Sequence, residues 1–164
     1  MLIDFNKLFT LTRSPKLNQL RTIIAKGDSG ASYHYVRPQD ADVLTNLVTQ
    51  RKEKVTQLDG TTMVIDQTGK LPLHPTLSEA AQKGHVLKNL ESSSLVAMGP
   101  LCDDGCTVVL TDKHLTAIKD NKIVLRGWRN RTDNLWDIPL QSHNKCMENY
   151  KVPPSHSALY DKPP

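Results

Sequence analysis

The sequence is poor in aromatic residues and contains no long apolar segment. Only 5% of its 164 residues are Phe, Trp or Tyr, so a core would have to be built mainly from Leu, Val and Ile. No apolar run approaches the roughly 20 residues that a membrane-crossing helix needs. The beginning of the chain also lacks the basic and then apolar pattern of a secretory signal. These absences predict an intracellular protein that does not contact a membrane.

The chain is too short for two large domains. A Rossmann domain with a substrate domain, or a (β/α)₈ barrel, needs clearly more residues. A two-lobed site would therefore have to be assembled from two chains. The three cysteines, Cys102, Cys106 and Cys146, are an odd number without a secretory signal, which argues against a disulfide framework. The net charge of +4 permits contact with nucleic acid without requiring it.

Hydrophobic patterning predicts a mainly β protein with an arm and a tail. Residues 1–16 fit neither a helical nor a strand period and are predicted to form a loosely attached arm. A meander of antiparallel strands is predicted over 106–140, and the polar, proline-containing residues 141–164 are predicted to be a disordered tail. Five elements are predicted in between: a buried strand over 20–25, a helix or turn over 38–47, a capped helical turn over 78–81, and buried strands over 86–90 and 95–98.

Turn signals place two hairpin features in the middle of the chain. Asp59-Gly60 lies between two apolar segments and is the strongest short-range hairpin signal in the sequence. A further turn is predicted at Thr68-Gly69. This hairpin-rich stretch could form a flap that closes over a ligand, and Gly60 and Gly69 are the flap candidates.

The strongest candidate for a catalytic motif is the segment Asp28-Ser29-Gly30-Ala31. A carboxylate on a turn after a buried strand can face the same carboxylate of a second copy of the chain. Two carboxyl groups about 3 Å apart cannot both ionise, so they share a proton. One can then activate water while the other protonates a peptide carbonyl. Ser29 would tie two such turns together, Gly30 would permit their close approach, and Ala31 would leave the site open. By itself the segment also describes an ordinary turn.

A second motif supports the first. The apolar strand ending in Ala97, Met98 and Gly99 could pack beneath the Asp28 turn as the other half of an active-site base. With these segments the sequence resembles the aspartic protease (retropepsin) region of copia-type retrotransposon polyproteins. The resemblance covers about residues 26–140 and is carried by residues 25–35, 59–61, 85–90 and 94–105.

The resemblance implies a fold and an activity. The expected fold is a retropepsin-like closed β-sheet lobe with one short helix over 17–105, followed by the meander over 106–140, which is similar to the junction between protease and integrase. The implied activity is cleavage of an extended polypeptide, the element's own polyprotein, by a homodimer in which Asp28 of each chain is catalytic. No cofactor and no metal is implied. The implied location is the cytoplasm or a virus-like particle.

Other interpretations stay open. The chain could be an inactive or truncated fragment that dimerises or binds peptide. A nucleic-acid-binding module would use the basic and aromatic residues of 126–131. A serine protease centred on Ser29 is excluded, because no histidine precedes that serine as the chymotrypsin-like order requires. A zinc site at Cys102 and Cys106 lacks a second close pair of ligands.

Overall fold

The computed structural model describes residues 21–142. The predicted arm over 1–16, nearly all of the predicted tail over 141–164, and Cys146 lie outside the described residues. The described part is mainly β, as the sequence predicts. Its strands are β1 (Thr22–Asp28), β2 (His34–Val36), β3 (Thr45–Thr56), β4 (Thr62–Lys70), β5 (Lys83–Leu87), β6 (Leu95–Ala97), β7 (Thr107–Leu110), β8 (His114–Lys119), β9 (Lys122–Arg129) and β10 (Trp136–Gln141).

The helices of the described residues are short. A 3-10 helix spans Pro38–Val43, α1 spans Glu79–Gln82 and α2 spans Met98–Asp103. The predicted capped turn is confirmed as α1, in which the Ser78 hydroxyl accepts a hydrogen bond from the Ala81 amide. The expectation of one short helix is wrong, since α2 forms directly after β6. Pro100 does not prevent it, because the first-turn amides of a helix have no intrahelical partner and proline loses nothing there. None of these helices has the length and apolar character to cross a membrane.

The strands form one mixed sheet in the order β3-β4-β5-β2-β6-β1-β10-β9-β8-β7. β1 runs parallel to β6 and β2 parallel to β5, while the other pairs are antiparallel. The sheet is open, with β3 and β7 at its edges, so the expectation of a closed lobe is wrong. The reason is that β10 pairs along β1, from Thr22 opposite Gln141 to Gly27 opposite Trp136. This pairing extends the sheet with the predicted meander instead of closing it.

The hairpin predicted at Asp59-Gly60 is confirmed. Gly60 has a φ of 83° at the turn between β3 and β4, and the Asp59 carboxylate accepts hydrogen bonds from the Thr61 amide and hydroxyl. The turn predicted at Thr68-Gly69 is wrong, because both residues continue β4. A Cβ at Gly69 would lie 2.9 Å from the Leu44 Cβ. Glycine therefore permits close packing there and does not make a turn.

The main core crosses the boundary predicted at residue 105. Ile23 and Ala25 of β1 and Val96 of β6 pack in one buried cluster with Leu115 of β8 and Ile138 of β10. A second, smaller cluster lies under the β3–β4 hairpin and is formed by Tyr35, Ile65, Leu87 and Leu90. The division of the chain into domains stays a prediction, but both sides of residue 105 supply strands and core to one sheet.

A buried carboxylate ties the 3-10 helix to the segment before β6. Asp40 is fully buried and receives hydrogen bonds from the Arg37 guanidinium and, at 2.7 Å, from the Ser94 hydroxyl. Burial acts to raise the pKa of Asp40, but these hydrogen bonds and the nearby Arg37 and Arg21 charges keep it below its usual range. The Ser94 carbonyl in turn accepts a hydrogen bond from the Lys26 amide. The network fixes where β6 begins beside β1.

Candidate active site

Asp28 is the last residue of β1 and is half-buried, whereas Ser29 and Gly30 are exposed. Ile23 and Ala25 point into the core, so Asp28 belongs to the opposite face of the strand. The Gly30 amide donates a hydrogen bond to Asp28 Oδ1 at 2.8 Å. The chain thus bends immediately after the strand and holds the carboxylate against its own turn.

The second motif lies directly beside the first. Asp28 is paired with Ala97 in the parallel ladder between β1 and β6. Ala97 and Met98 are buried, and Gly99 is exposed in the first turn of α2. Ends of parallel strands meet at the same edge of a sheet. The two segments that the sequence singled out are therefore neighbours, although their catalytic roles stay predictions.

A buried histidine holds the second motif in place. His34 accepts a hydrogen bond at Nδ1 from the Ala97 amide, at 2.9 Å. Its Nε2 lies 2.7 Å from the Ala81 carbonyl oxygen and must donate to it. Burial lowers the pKa of His34, which favours this neutral tautomer. His34 connects the start of α2 with α1 and serves to position the site.

The β3–β4 hairpin stands over the loop that follows the candidate turn. A recess of about 490 Å³ separates Glu53, Lys54 and Val55 of the hairpin from Tyr33 and His85. Ala31 packs against the small core cluster below the hairpin. Of the two flap candidates, Gly60 is at the hairpin turn and Gly69 is inside β4 near its far end.

A second cleft of about 220 Å³ adjoins Asp28 itself. Asp28 and Ser29 form one side of it, and Leu110, Leu135 and Trp136 of the meander form much of the other. The sequence analysis did not assign these meander residues to the site. One signal was available, since Gly27 is a residue without a side chain in the strand, immediately before Asp28. A Cβ at Gly27 would lie 2.6 Å from Leu115 Cδ1, so a buried side chain of the meander occupies the space that a side chain at position 27 would need.

Lys26, the cation nearest to Asp28 along β1, forms ion pairs with the meander. Lys26 Nζ pairs with the Asp133 carboxylate at 2.6 Å and with the Asp137 carboxylate. Burial acts to lower the pKa of Lys26, but the hydrogen bonds with Asp133 and Asp137 raise it. The ammonium group is therefore charged and balanced by two carboxylates of the meander.

The structure also shows where the residues of the zinc-site and nucleic-acid interpretations lie. Cys102 is exposed and Cys106 is buried, and within residues 21–142 no three His, Cys, Asp or Glu side chains are grouped to hold a metal ion. The Arg129 guanidinium stacks over the Trp136 ring at 4.4 Å. Arg131 pairs with Asp112 at 3.6 Å, on the surface. Contact of this segment with nucleic acid stays a prediction.

Comparison of the chain with models of known protein families, with curated proteins and with solved structures finds no match. Any function must therefore be argued from the geometry described above.

Proposed function

We propose that the chain is an aspartic endopeptidase that acts as a homodimer, with Asp28 of each chain forming a catalytic pair. One observation carries the proposal: Asp28 ends β1 at an exposed turn, lines a cleft and is paired with Ala97 of the second motif. The accessible turn would allow a second copy to approach, and the cleft would receive a substrate.

The chemistry follows from bringing two such carboxyl groups together. At about 3 Å separation they share one proton, because a doubly ionised pair would be strongly repulsive. The ionised carboxylate removes a proton from a water molecule, whose oxygen attacks the peptide carbonyl carbon, while the protonated carboxyl donates to the carbonyl oxygen. The tetrahedral intermediate then collapses. The nitrogen takes up a proton from one carboxyl group of the pair, and a hydroxyl group of the intermediate returns a proton to the other. The C–N bond breaks, which gives an amine and a carboxylic acid and restores the singly protonated pair.

The hairpin supplies the second part of the proposal. An extended peptide can be held by backbone hydrogen bonds with strands, and closure of a hairpin excludes water from the reacting bond. The β3–β4 hairpin projects from the sheet with Gly60 at its turn, over the loop that follows Asp28. It is the element suited to close over a peptide that is bound beside Asp28.

The test is cleavage of polyprotein-derived peptides at mildly acidic pH by the purified chain and by Asp28→Asn. Loss of the shared proton should reduce the cleavage rate by about 10²–10⁴-fold or more, and pepstatin should inhibit the parent chain. The matched control is Asp103→Asn, which changes an exposed carboxylate in α2 and should leave the rate unchanged. Cleavage that persists in Asp28→Asn would overturn the proposal.

The oligomeric state gives an independent measurement. One carboxyl group per chain cannot serve as both acid and base, so activity should rise with the dimer population in sedimentation experiments. A chain that stays monomeric and binds peptide without cutting it would instead support the interpretation as an inactive peptide-binding fragment.

A further inference from the structure

The two edges of the sheet differ in how they are protected against pairing with another strand. At one edge, the register of β3 with β4 is interrupted by two irregularities, and β3 contains four charged residues in succession, Arg51, Lys52, Glu53 and Lys54. Charged side chains and bulges are features by which natural proteins protect an exposed edge. At the other edge, β7 contains only threonine, valine and leucine and keeps one register with β8. The edge at β7 therefore lacks both forms of protection.

Backbone groups of β7 point to the free side of this edge. Among residues 21–142, β7 pairs only with β8. The Thr111 amide donates a hydrogen bond to the His114 carbonyl oxygen at 2.8 Å, which fixes the hydrogen-bonded positions of this antiparallel hairpin. Such positions alternate along a strand. Val109 therefore bonds toward β8, whereas the N–H and C=O groups of Val108 and Leu110 are directed away from it.

The side chains of β7 also suit a further strand. Val108 packs against the main core cluster, so Val109 belongs to the opposite face of the strand, where it is 42% exposed. Leu110 is exposed to the same extent. Apolar side chains on neighbouring strands stabilise a sheet by packing across the ladder. An apolar strand added at this edge would cover both residues.

The pattern of β7 is complementary to itself. In an antiparallel pair of β7 strands centred on Val109, Val108 of each copy lies opposite Leu110 of the other. The outward N–H and C=O groups of the two copies then meet in hydrogen-bonded pairs. The two Val109 side chains lie directly opposite each other. A two-fold axis through this point relates the copies, as in most protein dimers.

The charges at the two ends of β7 favour the same arrangement. Before β7, Asp104 is balanced in an ion pair at 2.9 Å, so the exposed Asp103 gives this end a net negative charge. After β7, Asp112 is balanced in an ion pair at 3.6 Å, so Lys113 gives the other end a net positive charge. Antiparallel pairing places the beginning of one strand beside the end of the other. Opposite charges therefore approach at both ends.

We propose that β7 is an interaction surface for a second copy of this chain, and that two copies pair antiparallel through their β7 strands, centred on Val109. The pair joins two ten-stranded sheets into one. It contains about four backbone hydrogen bonds between copies, so the interface is small and the association is reversible. The inference does not depend on the proposed function, since it uses a different surface from the Asp28 turn. A chain that forms both contacts assembles beyond a dimer.

Disulfide trapping tests the arrangement in the full chain, with Cys102→Ala and Cys146→Ala to remove competing thiols. Residues directly opposite each other at a non-hydrogen-bonded position have Cα atoms about 4.5 Å apart, which a disulfide can span. We expect Val109→Cys to give a covalent dimer under mild oxidation, measured on non-reducing gels. The matched control is Ile123→Cys, because that side chain is 51% exposed but belongs to β9, inside the sheet. It should give no covalent dimer.

Sedimentation tests the contact without a crosslink. Val109→Lys places two like charges opposite each other at the centre of the pair, and it should raise the dissociation constant of this contact by about 10-fold or more. Ile123→Lys adds the same charge away from the edge and should leave the constant unchanged. Cleavage of peptides, if the parent chain performs it, should be the same in Val109→Lys.

The outcomes are distinct from those that test the proposed function. Absence of a covalent dimer in Val109→Cys, or equal crosslinking in Ile123→Cys, overturns the inference. The first result is also expected if another segment of the same chain covers β7. A dissociation constant that Val109→Lys leaves unchanged overturns the inference as well. A parent chain that cuts no peptide overturns only the proposed function, and trapping through Val109→Cys would still support the β7 contact.

Discussion

Gly27 leaves room for buried side chains of the meander beside the strand that carries Asp28. A Cβ at this position would be 2.6 Å from Leu115 Cδ1 and 3.3 Å from Ile138 Cδ1, and both of these side chains are buried. We expect Gly27→Ala to lower the free energy of unfolding by about 1–3 kcal/mol, because overpacking forces buried side chains from their preferred positions. Urea denaturation measures the effect as a lower midpoint.

Two further variants test the cause. In a Leu115→Ala background the added methyl group has space. Gly27→Ala should therefore lower the free energy of unfolding clearly less there than in the parent chain. Gly99→Ala provides the control, since nothing lies within 4 Å of a Cβ at that position, and alanine in a helix is favoured over glycine. If Gly27→Ala lowers the free energy of unfolding equally in both backgrounds, a clash with Leu115 does not explain why glycine is needed at this position.

The connection between α1 and β6 depends on His34 staying neutral. Its Nδ1 accepts from Ala97 and its Nε2 donates to Ala81, so a second proton would break the first bond. His85 is also buried, and burial together with the Lys83 charge lowers its pKa, although a backbone hydrogen bond with His34 and the Glu53 charge act to raise it. Both imidazoles therefore bind a proton more weakly in the folded chain than in the unfolded chain.

Stability should fall as the pH is lowered through about 6.5. Above this ordinary histidine pKa both states are neutral, and the stabilisation is fully present. Below it the unfolded chain takes up protons that the folded chain does not, which costs up to about 1.4 kcal/mol per pH unit for each histidine. Urea denaturation between pH 7 and 5 should show this slope, and His34→Gln should make it shallower. A slope identical in the parent chain and in His34→Gln would exclude His34 as its source, and His85→Gln would then show whether the other imidazole is responsible.

The sheet as a unit is held together by the pairing of β1 with β10. A chain ending at residue 105 would lose this pairing and the buried side chains of Leu115, Ile138 and Leu140. We expect such a chain to lack a cooperative unfolding transition, because the strand that carries Asp28 would have an unpaired edge and would lose buried apolar side chains that pack against it.

Circular dichroism during urea titration measures this outcome, and addition of a separate chain of residues 106–142 should restore the transition. Cooperative unfolding of the shortened chain alone would show that residues 17–105 form the independent domain that the sequence analysis predicts. It would also mean that the meander is dispensable for folding.

Several features of this protein were predictable from residues close together in the chain. The Asp59-Gly60 turn, the Ser78 cap and the strand leading to Asp28 each depend on a few neighbouring residues, and the structure contains all three. The antiparallel meander was also predicted correctly, since its strands are joined by short turns. The catalytic assignment of Asp28 comes from a motif and a resemblance, and it stays a proposal that the peptide experiment decides.

Other features depend on contacts between distant parts of the chain. Gln141 donates a hydrogen bond to Thr22, 119 residues away, and no local pattern specifies that β10 rather than another strand covers this edge of β1. The open sheet, the helix that begins at Met98, the position of Gly69 within a strand and the meander residues beside Asp28 all follow from such long-range packing. Local signals act through neighbouring backbone and side-chain groups, whereas the partner of a strand is selected by the burial of apolar surface across the folded chain.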